Sequence, residues 1–449
     1  MKANSLAGLG RWLRRAFGGR SSDEEGGSSA NTSVPGAAFD RAALDPVLGA
    51  AVTANNEFGA ALFGALRAEA AGQNFLISPI SAWLALGMTY AGARELTRSE
   101  MAQALQLGPA AESLFAGQNA LRLALAQRGS EAFAFARDGF WGSGPQPSRT
   151  DYSLELVHSL WGEASYEWQL PFLNTLAVNY GAALNVRDFK QQSNPTRLEI
   201  NQWVSANTNH KIKDLLPEEA VKPDTRFLLV NALHIKLPWA NEFPISNTRP
   251  ERFTSSNGQE LSLPFMHRED RLAYRDDGSA QIVALPLTSG RLWLIIALPH
   301  TGVSLDVYEQ SLIGGSTALV VPSTETLVAL ALPRVTFSSP TFSLREALRR
   351  LGMVEAFEPE RANLEGMCQV PPGEPPLVIG DVLQKTMIAI QETGIEAAAA
   401  TAVIAICGSA PQKPLPPLPM IVNRPYLVAI VDKPTGALLM LGHIAAPEE

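Results

Sequence analysis

The stretch "ETGIEAAAATAVIAICGSAPQKPLPP", residues 392–417, satisfies no single local preference. Four consecutive alanines, Ala397 to Ala400, are strong helix formers. Val403, Ile404 and Ile406 then favour a strand, and a Pro-rich run breaks both patterns. A segment this apolar should be hidden, yet the prolines that follow read as exposed loop. As a surface helix it would put Ile395, Thr401 and the Val403–Ile406 run on no consistent face, and the apolar strand "VLQKTMIAI" (382–390) runs straight into it.

Working outward, the rest of the chain is easier to read. "SPISAWLALGMTYAGA" (78–93) is a nearly all-apolar helix, with Ser78 before Pro79 as its start. "LEINQWVSANTNHKIKDLL" (198–216) predicts a helix closing in a polar turn, and "TRFLLVNALHIKLPW" (225–239) a β-rich run. "QIVALPL" (281–287) and "RLWLIIALP" (291–299) form a hairpin around Thr288-Ser289-Gly290. "TLVALALPRVTF" (326–337) reads as one strand. In "SLREALRRLGM" (343–353) Ser343 and Glu346 predict a capping box, and Gly352 a helix stop. "YLVAIVDKPTGALLMLGHI" (426–444) predicts two strands around a Lys-Pro-Thr-Gly turn. Helices come first and β-runs dominate later, without βαβ alternation, so the class is α+β. Residues 53–447 read as one domain. Residues 1–52 read as a flexible extension, with a basic amphipathic start (Leu6, Leu9, Trp12, Leu13, Ala16 and Phe17 among arginines) and a Gly/Ser-rich linker.

Composition narrows the function. A net charge of −8 over 449 residues argues against nucleic acid as a partner. The two cysteines, Cys368 and Cys407, exclude a disulfide scaffold, and there is no Cys-x-x-Cys pair. There is no P-loop, Rossmann fingerprint, nucleophile elbow or His-Glu-x-x-His motif, and the six histidines are scattered singly. A lone His234 in an apolar strand reads as structural. No catalytic residue, metal site or cofactor is expected; the chain does not read as an enzyme. No signal peptide or membrane-spanning stretch is legible, which leaves extracellular and cytoplasmic locations both open.

The ordered motifs resemble one family, the serpins (serine-protease inhibitors), of bacterial type. "NFLISPISAWLALGMTYAGA", "SLWGEASYEW" (159–168), "INQWVSANTNHKIKDLL", "LVNALHIKLPWANEF" (229–243), "VALALPRVTF", "LGMVEAF", "QETGIEAAAATA" and "NRPYLVAIVDKPTGALLMLGHI" follow the family's order over nearly the whole ordered chain. The resemblance implies three β-sheets, eight to nine helices and an exposed reactive-centre loop, here about 392–419. It implies a suicide-substrate mechanism: a serine endopeptidase cleaves the loop, whose N-terminal part inserts as a strand into the central sheet. Ser78, Ser81, Asn201 and Gln384 are implied as the "shutter" beneath that sheet and Trp239 as the "breach" at its top. The hinge is implied at Glu392, Gly394, Ile395, Glu396, Ala397, Ala398, Ala399, Ala400, Thr401 and Ala402. The alternative is a non-inhibitory serpin acting as a binding or chaperone-like protein.

The loop's chemistry suits insertion. Strand alternation puts Ile395, Ala397, Ala399, Thr401, Val403, Ala405 and Cys407 inward, none charged, and leaves Glu396 on the solvent side. Thirteen residues span roughly 43 Å at about 3.3 Å each. Gly394 supplies a pivot. Two positions depart from the family pattern. The usual shutter histidine is Gln384, which cannot titrate. The residue after Gly394, usually Thr or Ser, is Ile395, whose bulk is expected to slow the first step. Loop length puts the reactive bond at Gly408–Ser409, or one residue earlier at Cys407–Gly408. With no Arg or Lys there, elastase-like or subtilisin-like proteases fit better than trypsin-like ones, and a cysteine protease stays open. Only Arg122 and Arg128 are basic in 100–129, which argues against heparin. A monomer is expected.

Overall fold

The computed structural model describes residues 45–70, 72–111, 113–139, 146–313, 319–396 and 416–447. The chain enters through α1 (Pro46–Leu66), capped by Asp45, whose carboxylate accepts from the Val47 and Leu48 amides. This helix starts earlier than the sequence reading allowed: residues 45–52, assigned to a flexible extension, are the cap and first turns of α1. Val52, Phe58, Leu62 and Phe63 anchor it in the core. After β1 (Phe75–Ile77), α2 (Pro79–Tyr90) is buried at every position, as its unbroken apolar sequence requires.

Next come α3 (Glu95–Ala104), α4 (Leu114–Ala126), α5 (Arg128–Asp138), β2 (Ser153–Glu163), β3 (Glu167–Trp168), α6 (Leu170–Tyr180), β4 (Leu184–Arg187) and α7 (Phe189–Asn207). Helix α7 is kinked at Gln192, three residues before Pro195. The β-rich part runs through β5 (Phe227–Pro238), β6 (Arg249–Thr254), β7 (Glu260–Asp276), β8 (Ala280–Pro286) and β9 (Leu292–Pro299), then α8 (Leu305–Leu312). It continues with β10 (Glu325–Pro333), β11 (Val335–Ser338), β12 (Phe342–Ser343), α9 (Arg345–Arg350), β13 (Cys368–Gln369), β14 (Val382–Lys385), β15 (Met387–Gln391) and β16 (Gly394–Ile395). Three strands close the chain: β17 (Leu418–Ile421), β18 (Tyr426–Asp432) and β19 (Ala437–Ile444).

These strands build three sheets. A nine-stranded sheet runs β1-β19-β18-β9-β8-β7-β10-β17, with β6 on β7; an eight-stranded sheet runs β11-β15-β16-β5-β14-β12, with β2 between β5 and β4; β3 and β13 make a third. The stretch 326–337, read as one strand, is two strands in different sheets. Pro333 ends β10, and the Arg334 amide turns to the Pro264 carbonyl. The capping box at Ser343 does not form. Ser343 lies in β12 and its hydroxyl bonds Asp381, while Gly352, at φ +98°, follows the end of α9 as expected.

The eight-stranded sheet is covered on both faces. On one side Val157, Trp161, Leu228, Val230 and Ala232 pack with Phe189, Ile200 and Val204 of α7. On the other, Leu229, Leu233, Ile235 and Leu237 join the main core that contains α2. The alternation along β5 therefore serves two cores, which explains its nearly continuous apolar sequence.

Candidate functional site

The site lies along β5 and the pair β14–β15, where the eight-stranded sheet changes its pairing. At one end β14 lies parallel to β5, with Val382 opposite Leu229 and Lys385 opposite Ala232. At the other end β15 no longer touches β5. Gly394 and Ile395 come between them: Ile395 pairs with Ile390 on one side and Leu237 on the other, and Gly394 with Gln391 and Pro238. The Glu396 amide adds a bond to the Ala389 carbonyl. Among the described residues, Leu233–Lys236 have no strand partner on that edge of β5. β14 closes the sheet against β5 at one end, and Gly394 and Ile395 stand between β5 and β15 at the other.

Gly394 fits there because it has no side chain. Its φ is +153°, and a Cβ would come 2.4 Å from the Leu237 carbonyl oxygen and 2.5 Å from the Pro238 Cα. Ile395 is buried at 1% exposure, in the inward position the alternation predicted. Glu396 is not on the solvent side. Its φ of +52° turns it out of strand geometry, and its side chain is only 4% exposed. One oxygen is 2.5 Å from His234 Nε2 on β5, and the other lies 3.3 Å from Lys211 Nζ in the loop after α7. The Asn209 side-chain amide lies 3.4 Å from His234 Nδ1, on the other side of the ring. Burial opposes ionisation of Glu396, but the bond from His234 and the charges of His234 and Lys211 outweigh it, holding its pKa below the usual carboxylate value.

Glu392 anchors the turn before the wedge. Its carboxylate accepts from Arg334 Nε at 2.8 and 2.9 Å and from the Thr248 hydroxyl at 2.6 Å. Burial raises its pKa, and these bonds more than reverse that. Trp239 caps the same end: its indole donates to the Gln391 carbonyl at 2.7 Å and its amide to the Thr393 carbonyl.

Beneath the closed half lies a neutral network. The Gln384 carbonyl accepts from the Ser78 amide, and its nitrogen donates to the Ser78 carbonyl (both 3.0 Å) and to Asn231 Oδ1 at 3.2 Å. The Ser78 hydroxyl donates to Ser81 at 2.9 Å, with the Leu439 carbonyl 3.1 Å away. Every member is buried. The structure brings Ser78, Ser81 and Gln384 together but not Asn201. Asn201 lies on α7, where its side chain holds the Leu216 peptide from both ends. The position implied for it is taken by Asn231 on β5.

Sequence reasoning missed Asn231, His234, Lys211, Arg334 and Thr248. An Asn at the centre of an apolar strand was a usable signal; the others carry none. Ala397–Ala400, Thr401, Ala402, Cys407, Gly408 and Ser409 lie outside the described residues. Among the described residues no group of His, Cys, Asp and Glu could hold a metal ion, and no helix is long and apolar enough to cross a membrane.

Comparison with known proteins agrees with this architecture. The family model described as Serpin (serine protease inhibitor) matches residues 53–447. An uncharacterized serpin-like protein of Thermococcus kodakarensis is 30% identical over 84% of this chain and 81% of its own. Human Serpin B4 is 29% identical over 88% of this chain and 98% of its own. Among solved structures, the thermophilic serpin tengpin in its native state superposes with a TM-score of 0.73 at 25% identity, covering 90% of this chain and 95% of that one.

Proposed function

This chain belongs to the serpin family, and from that premise we propose that it is an irreversible inhibitor of serine endopeptidases that works by loop cleavage and insertion. The observation that carries this reading is the wedge: Gly394 and Ile395 already pair with both β5 and β15. A strand continuing from Ile395 would meet Leu233–Lys236, which have no partner on that edge among the described residues, and beyond Glu396 the residues Ala397 to Ala402 are small and uncharged. Such a strand completes two ladders at once, satisfying backbone groups on both sides. Cleavage within 397–415 frees the segment from its second tether at β17. A protease bound to it as an acyl-enzyme is carried along the sheet before hydrolysis finishes.

Gly408–Ser409, or Cys407–Gly408, is the proposed reactive bond, and its small residues favour elastase-like or subtilisin-like targets. Incubation with elastase, subtilisin, trypsin and papain tests this, with detergent gels to detect a covalent complex. A detergent-stable complex with one of the first two supports the reading, as does a small released fragment beginning within residues 406–410. Clean cleavage by all four, with no complex, would favour the non-inhibitory alternative.

A further inference from the structure

The described strand β16 is two residues long, and Glu396 departs from strand geometry directly after it. The register fixes where a continuing strand would go. Ile395 is opposite Leu237, so Glu396 belongs opposite Lys236, Ala397 opposite Ile235 and Ala398 opposite His234. Glu396 does not take that place. Its left-handed backbone, uncommon for a residue with a side chain, breaks the ladder. Its carboxylate reaches past Lys236 to His234, the position that Ala398 must occupy. Lys236 meanwhile bonds Asp151 at 2.7 Å. Lys211 closes over the carboxylate from the loop following α7, so the grip joins two elements of the body to the loop.

We infer that His234 and Lys211 are positioning residues that form a latch on Glu396, holding the uncleaved loop docked two residues deep in the sheet and releasing it for insertion by handing the carboxylate to Lys236. This rests on the reading of the loop as an inserting strand. The docking itself is measurable without any protease. Charge-assisted hydrogen bonds in a protected site are the strong ones, so the grip can hold a segment whose other end is tethered at β17. Neither partner announces itself in the sequence. His234 is one histidine in an apolar strand, and its function depends on a residue 162 positions away.

The test is hydrogen exchange by mass spectrometry on the full-length, uncleaved protein. Glu396→Ala and His234→Phe should each speed exchange of the 394–396 amides at least about tenfold, and Lys211→Met by less. Exchange in β18 and β19 should stay unchanged. His234→Gln retains an N–H donor and should restore most of the protection that His234→Phe removes. Unchanged hinge exchange in both Glu396→Ala and His234→Phe would overturn the latch. So would equal acceleration in β18 and β19, which would indicate general loosening, or a His234→Gln variant as fast as His234→Phe. If the latch variants behave as expected but no protease forms a stable complex, the latch stands and the inhibitory reading fails; the reverse pattern separates them the other way.

Discussion

The two ends of the β5–β14/β15 interface are held by different chemistry. The closed end rests on a neutral network: Gln384, Ser78, Ser81 and Asn231 exchange hydrogen bonds out of water. The open end rests on carboxylates: Glu392 against Arg334 and Thr248, Glu396 against His234 and Lys211. A neutral buried network is costly to disrupt and indifferent to pH, because each lost partner strands a buried polar group. The charged anchors are buried carboxylates whose cationic partners Arg334 and Lys211 reach solvent, and they respond to pH. The β14 end is thus fastened by neutral groups and the start of the loop by titratable ones.

The largest effect is expected at the closed end. Gln384→Leu strands the Ser78 peptide and the Asn231 amide, and should destabilise the fold by about 3 kcal/mol, read by urea unfolding. Gln384→His tests the same point through pH. Accepting from the Ser78 amide requires the neutral imidazole, so the unfolded state binds the proton more readily. Stability should then fall as pH drops below about 6.5, whereas the natural protein shows no such step from this site. A Gln384→His variant with a flat profile would break the contrast.

At the open end, Glu392→Ala should cost about 1–2 kcal/mol, less than the shutter change, because Arg334 is 42% exposed and water can replace its partner. Thermal melting reads the difference. The sign of the pH response follows from the lowered pKa values of Glu392 and Glu396. Their contribution is present above the usual value of 4.5 and is lost as pH falls through the lower folded values. The 392–396 segment should therefore gain protease sensitivity as pH falls below 4.5, before the nine-stranded sheet loosens. The smallest effect is expected from Ile395→Thr. The sequence suggests that Ile395 obstructs the first step of insertion, but in the structure Ile395 is buried and already paired with both Ile390 and Leu237. The substitution should loosen docking by about 1 kcal/mol and leave the stoichiometry of inhibition nearly unchanged. A clear gain in inhibition would restore the obstruction reading.

Much of the fold was legible because its signals are local. The all-apolar run from Pro79 to Tyr90 could only be a buried helix, and the hairpins at 288–290 and 433–436 announce their turns. What failed depended on distant partners. Ser343 and Glu346 have capping-box spacing, but Asp381, brought alongside by β14, takes the Ser343 hydroxyl instead. Asn201 and Asn231 both follow apolar residues, and only the packing of α7 and β5 decides which one meets Gln384. Alternation sent Glu396 to solvent because it assumes strand backbone at every residue. One left-handed φ was enough to reverse that placement.

The account's central claim is that the loop beginning at Glu392 becomes a strand of the eight-stranded sheet once cut. The most direct measurement is the melting temperature of the full protein before and after a single cleavage within residues 397–415. Insertion predicts a rise of at least about 10 °C, a gain of a few kcal/mol at roughly 2–4 °C per kcal/mol for a large domain. An unchanged or lowered melting temperature after clean cleavage would contradict it.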